Sequence, residues 1–204
     1  MNKNKKMFKE IVDKYRTKIQ AKIKERKKEM LQDENTHFLL YQALGITPDE
    51  SLKIDVYQNI GRFVYKYAGA MLEDLASTAI ANFVGGKKIK IKNNISTDPK
   101  TFEIDCYVMK DNKAHEIKWR DATTDGDHIK KEHNKIMAII KSGMTPVRIM
   151  FYMPQRTQAI RIQKKVIALY KEHGEAYVGQ DAWNYIKTYA KVDLLKILQD
   201  LAKS

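Results

Sequence analysis

The sequence predicts an α/β (α+β) fold in which a mixed β-sheet is flanked by helices. Apolar residues recur at three- and four-residue steps in long segments at both ends, which is typical of helices. Four short segments between Lys87 and Met153 carry strand patterns, and a helical segment separates the third from the fourth. We expect a single domain over residues 1–204, comprising a basic N-terminal helix (1–36), a central core (54–153) and a helical C-terminal region (154–204).

The first segment, from Asn2 to about Asp33, is rich in lysine and is predicted to be one long basic helix. Its apolar positions form a stripe of seven residues: Phe8, Ile11, Val12, Tyr15, Ile19, Ile23 and Met30. This pattern fits a solvated helix packed on its own domain, and it also fits an arm that dimerises or contacts phosphates. A short helix from His37 to Leu44, ended by Gly45, is predicted to follow.

The central segment begins with a predicted core helix from about Ile54 to Phe83, which Gly85-Gly86 ends. Lys87 to Lys92 alternates lysine with isoleucine and predicts a strand with one basic face. Two further strands are predicted from Thr101 to Met109 and from Lys113 to Arg120.

Helices alternate with one more strand in the remainder of the chain. The predicted elements are a helix from about Asp127 to Lys141, a strand from Pro146 to Met153, and helices over Ile160 to Glu172 and Asp181 to Lys203. We find no internal repeat or low-complexity linker.

The charge of the chain indicates an anionic partner. Lysine and arginine outnumber aspartate and glutamate by 38 − 25 = 13, and nucleic acid is the leading class of partner for such a protein. No apolar run approaches the roughly 18 residues that a membrane span requires. The N-terminus has no apolar signal core, and the single cysteine, Cys106, excludes an internal disulfide framework, so we expect a cytoplasmic protein without a membrane partner.

The two central strands form a predicted hairpin that concentrates charged residues. A two-residue loop at Asp111-Asn112 would pair Lys110 with Lys113 and place Asp105 opposite Lys118. This register predicts one charged face, made of Glu103, Asp105, Glu116, Lys118 and Arg120. It predicts one apolar core face, made of Phe102, Ile104, Cys106, Val108, Ile117 and Trp119.

Neighbouring carboxylates on this face favour a cation. Two carboxylates close together repel each other unless they bind a cation, pair with a base or take up a proton. Mg²⁺ suits them, because this ion takes one or two carboxylates and completes its shell with water and phosphate oxygens. The Lys118 ammonium can orient or help to activate an attacking water and stabilise charge on a phosphate. An ordinary exposed strand face, with Asp105–Lys118 and Glu103–Arg120 ion pairs, is the alternative.

Asp105 and the tripeptide Glu116-Ile117-Lys118 resemble the signature of the PD-(D/E)xK nuclease superfamily. The order of elements over residues 54–153 resembles that family too and implies a restriction-endonuclease-like core. The resemblance implies that Asp105 and Glu116 hold one or two Mg²⁺ ions, with the backbone carbonyl of Ile117 as a further ligand, and that Lys118 serves the nucleophilic water. It also suggests that Glu73 on the core helix assists, although Glu73 suits a surface position equally well.

The literal Pro-Asp of the superfamily name is missing from this chain. Ile104 precedes Asp105, while Asp98-Pro99 has the reverse order and lies too early in the sequence.

The segment KWRDATTDGDHIKKEH more narrowly resembles ApaLI-type restriction endonucleases. This resemblance implies a type II enzyme that cuts both strands of double-stranded DNA at a short palindromic sequence. It implies a homodimer, because a two-fold symmetric target is matched by a two-fold symmetric protein. A cognate DNA methyltransferase is expected in the same prokaryotic system.

The loop after the third strand is a candidate for DNA contacts, because it would lie on the DNA side of the sheet. Arg120 could contact a phosphate or a guanine, and a loop aspartate could accept a hydrogen bond from cytosine. The candidates are Arg120, Asp121, Thr123, Thr124, Asp125, His128, Lys130 and Lys131. Lys130, Lys131 and Lys135 fit phosphate contacts or solvated charges, Asp127 fits a helix N-cap, and Arg120 fits an ion pair with Glu103.

The sequence gives less support to candidate metal sites outside the hairpin. Asp121, Thr123, Asp125, Gly126 and Glu132 have the spacing of a calcium-binding EF-hand, but a strand rather than a helix enters the loop. His115, His128 and His133 have no cysteine beside them and do not predict a zinc site. His133 is expected to be a core histidine and Cys106 a buried space-filling residue.

Three functions compete at this point. The first is a magnesium-dependent, sequence-specific endodeoxyribonuclease. The second is a structure-specific nuclease of the same superfamily, such as a junction resolvase or a repair nuclease. The third is a basic nucleic-acid-binding protein with no catalytic activity, in which the acidic pairs are structural.

Overall fold

A computed structural model describes residues 3–203 and contains seven α-helices and five strands over that range. The helices are α1 (Lys3–Gln32), α2 (Phe38–Ala43), α3 (Pro48–Val84), α4 (His128–Lys141), α5 (Thr157–His173), α6 (Gln180–Tyr189) and α7 (Leu194–Ala202). The strands are β1 (Lys87–Lys92), β2 (Thr101–Val108), β3 (Lys113–Lys118), β4 (Thr145–Met150) and β5 (Glu175–Val178).

The strands form one mixed sheet in the order β1-β2-β3-β4-β5. β1, β2 and β3 pair antiparallel, whereas β3, β4 and β5 pair parallel. Parallel neighbours require a crossover, and α4 and α5 supply the two crossovers from β3 to β4 and from β4 to β5. The predicted mixed sheet with helices on its faces is confirmed.

Residues 1–71 and 72–204 form two compact units. In the first unit, α1 meets α3 where the Arg26 guanidinium donates to the Asn59 side chain at 3.2 Å. α2 meets α3 through Asp55, whose carboxylate contacts His37 at 2.7 Å and accepts a hydrogen bond from Tyr41 at 3.1 Å. The prediction of a single domain over residues 1–204 stays a prediction.

The second unit contains the sheet and most of the core. One apolar cluster joins the antiparallel strands to α4 and comprises Ile91, Phe102, Ile104, Ala114, Ala138, Ile139 and Met144. A second cluster joins α4 to α5 and comprises Ile136, Ile162, Val166 and Tyr170. These clusters fix α4 against both the sheet and α5, so the residues of α4 have defined positions beside β3.

The β2–β3 connection differs from the predicted two-residue loop. A 3-10 turn over Met109–Asp111 and Asn112, at φ +55°, connect the strands, and Tyr107 pairs with Ala114. Paired residue numbers therefore sum to 221, so the predicted pairing of Lys110 with Lys113 and of Asp105 with Lys118 is wrong by two residues. The left-handed conformation of Asn112, which asparagine tolerates, accounts for the longer turn.

A β-bulge in β2 also divides the predicted apolar face. Lys87 pairs with Tyr107 and Ile89 with Ile104, so two steps along β1 span three steps along β2. Phe102 and Ile104 pack in the cluster with α4. The side chains of Cys106 and Val108 instead lie beside Gly86, in the connection from α3 to β1. Cys106 is buried, as expected for a space-filling residue.

The C-terminal region departs from the sequence prediction in two places. β5 was not predicted, because its four residues are all half-buried and carry no alternating pattern. The predicted helix from Asp181 to Lys203 is two helices, α6 and α7. Lys191 between them has φ +57°, which a helix cannot accommodate, and Asp193 caps α7 by accepting a hydrogen bond from the Lys196 N–H at 3.1 Å.

Within residues 3–203, no helix is both long enough and apolar enough to cross a membrane.

Gly174 is predicted to be required for the docking of β5. A Cβ atom at this position would lie 2.1 Å from the backbone carbonyl oxygen of Pro146, and a backbone atom cannot move aside easily. We expect Gly174→Ala to lower the free energy of unfolding by about 1–3 kcal/mol in urea denaturation, as overpacked sites do. Gly126→Ala is the control, because a Cβ there meets no atom within 4 Å. Equal stability of the two variants would contradict this prediction.

Candidate active site

Asp105 lies where β2 and β3 separate. The bulge falls between Ile104 and Tyr107, and the regular pairing of β2 with β3 begins one residue later, at Cys106 and His115. The Asp105 carboxylate accepts a hydrogen bond from the backbone N–H of Ile117 at 2.8 Å. The side chain is buried, at 8% exposure, so the bulge places a carboxylate inside the protein rather than on its surface.

Glu116 is buried more deeply and is contacted by two lysines. The Lys118 ammonium lies 2.5 Å from Glu116 Oε1, and the Lys135 ammonium of α4 forms an ion pair with Oε2. Lys118 follows Glu116 by two residues on the strand and therefore shares its face. The ammonium of Lys135 reaches the same carboxylate because α4 packs on the strands. One buried carboxylate thus has an ammonium on each oxygen.

The two carboxyl groups are in opposite electrostatic states. Burial raises the pKa of Asp105, the Glu116 charge raises it further, and Lys118 offsets only part of this effect. Burial acts in the same direction on Glu116, but Lys118 and Lys135 outweigh it and lower its pKa. Among the described residues, no lysine, arginine or histidine nitrogen comes within 4 Å of the Asp105 carboxylate. Asp105 is therefore the acidic group with the greater need for a cation.

The state of Lys118 limits the chemistry it can perform. Burial alone would lower its pKa, but the charges of Glu116 and Asp105 outweigh burial and raise it well above the usual range. In this state Lys118 is an ammonium that donates hydrogen bonds and supplies positive charge. An ammonium has no lone pair, so in this state Lys118 cannot accept a proton as a general base.

The structure brings Glu73 to the same region. Glu73 and Asp105 both line a cavity of about 180 Å³ between α3 and the strands. The charge of Glu73 contributes to the raised pKa of Asp105. Glu73 is half-buried, so it is neither a remote surface residue nor part of the closed core.

The donor set fits a hard divalent cation. Asp105 and Glu116 supply two buried carboxylates, and Mg²⁺ takes one or two carboxylates while keeping several waters. The N–H and C=O of one strand residue point to the same side, so the carbonyl of Ile117 faces β2, as its N–H does. No group of three or more His, Cys, Asp or Glu side chains in the described part of the chain is arranged to hold a metal. The fit therefore rests on two carboxylates and a backbone carbonyl.

Arg148 of β4 organises a second cluster of buried charge beside the first. It is fully buried, and its guanidinium contacts Glu132 at 3.0 Å, Asp121 at 2.9 Å and Gln163 at 2.9 Å. Tyr170 donates a hydrogen bond to the same Glu132 oxygen at 3.2 Å. The cluster joins the loop, α4, β4 and α5, and Arg148 is the direct strand partner of Glu116.

This cluster accounts for the residues that resembled an EF-hand. The Asp121 and Glu132 carboxylates are bound by Arg148, so they are committed to a guanidinium rather than to calcium. Asp125 Oδ1 accepts a hydrogen bond from the Asp127 N–H at 3.0 Å, and Thr123 Oγ1 accepts one from the Asp125 N–H at 3.2 Å. These side chains therefore stabilise the loop itself. The EF-hand interpretation receives no support from this geometry.

The remaining candidates for DNA contact differ in accessibility. Thr124, Asp125, Lys130 and Lys131 are exposed, and the Thr124 carbonyl accepts a hydrogen bond from Gln158 of α5 at 2.9 Å. Arg120, Asp121, Thr123 and His128 are half-buried. Glu103, proposed as a partner of Arg120, forms an ion pair with Lys88 at 2.6 Å. Asp127 occupies the N-cap position of α4 but its side chain makes no capping hydrogen bond.

Three residues were misjudged or missed from the sequence. Lys135 is not a solvated charge, because its side chain is 12% exposed and contacts Glu116. His133, expected in the core, is exposed on α4. Arg148 was not singled out, although an arginine within the apolar strand TPVRIM is itself a signal of a buried ion pair.

The order of helix and strands, with an acidic residue on β2 and Glu-x-Lys on β3, is that of the PD-(D/E)xK class of nucleases. The family model of the ApaLI-like restriction endonucleases matches residues 1–203. Searches of curated proteins and of solved structures return no match.

The chain belongs to the ApaLI-like restriction endonuclease family. It is a type II restriction endonuclease, a hydrolase that cuts DNA at specific sites. DNA is therefore its substrate, in agreement with the net charge of +13. Of the three competing functions, the family supports the sequence-specific endodeoxyribonuclease.

Arg148 is predicted to be essential for stability. Replacing it with methionine would leave Asp121 and Glu132 partly buried without their cation, and breaking such a pair costs about 3–5 kcal/mol. Urea denaturation of Arg148→Met should show a loss of that size. Arg161→Met, which removes an exposed arginine of α5, is the matched control and should change stability little. A loss of below about 1 kcal/mol in Arg148→Met would show that the cluster contributes no such stabilisation.

His128 is predicted to give stability that depends on pH. The Asp121 carboxylate, 2.9 Å from Nε2, raises the pKa of His128 above its ordinary value, and burial offsets part of this rise. A raised folded-state pKa stabilises the protein below the unfolded-state pKa of about 6.5, and this contribution is lost as pH rises through the folded-state value. The stability difference between wild type and His128→Gln should therefore be larger near about pH 5.5 than near about pH 8.5.

The exposed His133 of the same helix gives the control for this measurement. The change in this stability difference between the two pH values should be larger for His128→Gln than for His133→Gln. A His128→Gln difference that is constant or grows with pH would contradict the prediction.

Proposed function

We propose that this endonuclease hydrolyses phosphodiester bonds with Mg²⁺ held by Asp105 and Glu116. The observation that carries this proposal is the pair of buried carboxylates on neighbouring strands, of which Asp105 has a raised pKa and no cationic partner within 4 Å among the described residues. The backbone carbonyl of Ile117 would be a further ligand of one or two ions. A bound Mg²⁺ would polarise the scissile phosphate and lower the pKa of a water.

Lys118 is proposed to orient the attacking water and to stabilise negative charge. Its ammonium lies at the mouth of the site, where 30% of its side chain is exposed, and it can donate to a water or to a phosphate oxygen. Because the pKa of Lys118 is raised, orientation and charge stabilisation are the roles that this geometry supports. Glu73, which lines the same cavity as Asp105, is proposed to help hold the metal or its waters.

The DNA is proposed to be a double-stranded, short palindromic sequence that a homodimer reads. Two-fold symmetry in the target would be matched by two copies of the chain. The net charge of +13 supports phosphate binding. The first candidates for contacts are the exposed loop residues Thr124 and Asp125 and the exposed α4 residues Lys130 and Lys131. Arg120, Asp121, Thr123 and His128 would support the loop or contact DNA at its edge.

The biological setting follows from the restriction system. A cognate DNA methyltransferase would protect the host, and enzyme and methyltransferase would share a prokaryotic cytoplasm. The match over residues 1–203 favours one nuclease domain, with both compact units taking part in one activity.

Lys118→Met should separate binding from cleavage. The variant keeps an unbranched side chain one atom shorter and removes the ammonium, so DNA binding in a gel-shift assay without metal should change little. Cleavage of supercoiled plasmid with Mg²⁺ should fall by a factor of about 10²–10³ or more, as when one charge-stabilising donor is removed. Discrete fragments from wild type on plain duplex plasmid would agree with restriction, whereas cleavage only at branches would indicate a structure-specific nuclease.

Lys171→Met is the matched control for charge, because Lys171 is an exposed lysine of α5 outside the proposed site. It should cleave plasmid like wild type. Cleavage by Lys118→Met at the rate of Lys171→Met would overturn the role of Lys118. If Mg²⁺ produced no nicks with wild type, the proposed catalytic mechanism would fail as a whole.

A further inference from the structure

Glu116 contacts two ammonium groups, and the proposed mechanism uses only one of them. Lys118 contacts Oε1 and has a proposed role in catalysis, but Lys135 contacts Oε2 from a different element, α4. The Lys135 side chain is 12% exposed and the Glu116 side chain 4%. A lysine seldom becomes this buried unless it is paired, so the contact is a specific feature of the site.

The charges of the two proposed metal ligands and of the two lysines beside them balance before any metal binds. Asp105 and Glu116 bring two negative charges when both are ionised, and Lys118 and Lys135 bring two positive charges. A divalent cation that joined this group with both lysines in place would give a buried excess of two positive charges, which is costly in a poorly solvated site. Withdrawal of one ammonium would reduce this excess and favour metal binding.

Lys135 is the ammonium that can leave without removing the group proposed to act on water. Its positive charge also lowers the pKa of Glu103, an exposed carboxylate of β2 with 47% of its side chain accessible, so a second acceptor lies within electrostatic reach. Lys118 by contrast is fixed to the strand that carries Glu116, and its charge acts on both carboxylates of the site.

We propose that the Lys135 ammonium binds the Glu116 carboxylate where a metal ion would bind. It must therefore be displaced before the metal binds. Lys135 is a positioning residue that holds Glu116 in the free enzyme and weakens the affinity of that enzyme for divalent cations. This inference rests on the proposed function, because it takes Asp105 and Glu116 as the metal ligands.

The test is binding of Mn²⁺ alone, without DNA, measured by isothermal titration calorimetry on the full chain. Lys135→Met should bind Mn²⁺ at least about tenfold more tightly than wild type, because removing one charge beside the ion removes a repulsion of several RT. Lys135→Arg keeps the cation and should remain within about threefold of wild type. Lys141→Met removes an exposed lysine from the same helix and should leave Mn²⁺ affinity unchanged.

Circular dichroism would establish that each variant is folded, and Lys135→Gln offers a second neutral side chain if methionine disrupts packing. Equal or weaker Mn²⁺ binding by a folded neutral variant would overturn the role of Lys135 while leaving the metal site intact. An equal gain in Lys141→Met would show an effect of net charge only and would also overturn it. Absence of Mn²⁺ binding in wild type and in every variant would overturn the metal site of the proposed function together with this inference.

Discussion

The need to balance buried carboxylates with buried cations shapes the region around β3 and β4. Asp105, Glu116 and Glu132 are buried acidic groups, and Asp121 is nearly so. An unpaired buried charge is expensive, so each group must find a cation or take up a proton. Arg148 serves Glu132 and Asp121, while Lys118 and Lys135 serve Glu116. Only Asp105 receives no such partner within 4 Å among the described residues.

The arrangement of the strands determines which buried carboxylates have a cationic partner. The parallel pairing of β3 with β4 sets Glu116 beside Arg148, so the site and the structural ion cluster are neighbours. The bulge of β2 opens the sheet at Asp105, where the carboxylate replaces a strand partner for the Ile117 N–H. Asp105 is thus buried and hydrogen-bonded with no cation beside it, which supports the proposal that it binds a metal ion. The ion cluster holds the adjoining loop and helix in place around it.

The sequence predicted the part of this arrangement that depends on local pattern. Strand alternation and helical periodicity located β1 to β4 and α4, and they placed Asp105 on one strand and Glu116 and Lys118 on the next, because each of these features depends on a single segment. The hairpin register was wrong by two residues because turn composition favoured a short loop, whereas Asn112 allows a longer one. Since a shift of two residues keeps each side chain of β3 on the same side of the sheet, the error did not separate Asp105 from Glu116 and Lys118.

Contacts between segments that are distant in the sequence could not be predicted from local patterns. Lys135 reaches Glu116 only because α4 packs over the sheet, and nothing in the sequence near Lys135 distinguishes it from the exposed Lys130 and Lys131. Arg148 differs, because a charge inside an apolar strand does signal a buried partner. That signal does not say which acids it binds, because Asp121 and Glu132 lie 27 and 16 residues away.

The central claim is that Asp105 and Glu116 together form the divalent-metal site. Anomalous diffraction from crystals of the protein soaked in Mn²⁺ locates the ion directly. We predict a manganese peak in contact with the carboxylates of Asp105 and Glu116, with the Lys135 ammonium withdrawn from Glu116 Oε2. A peak at the loop of Asp121 and Asp125, or no peak near Asp105 in a crystal that binds manganese elsewhere, would contradict it.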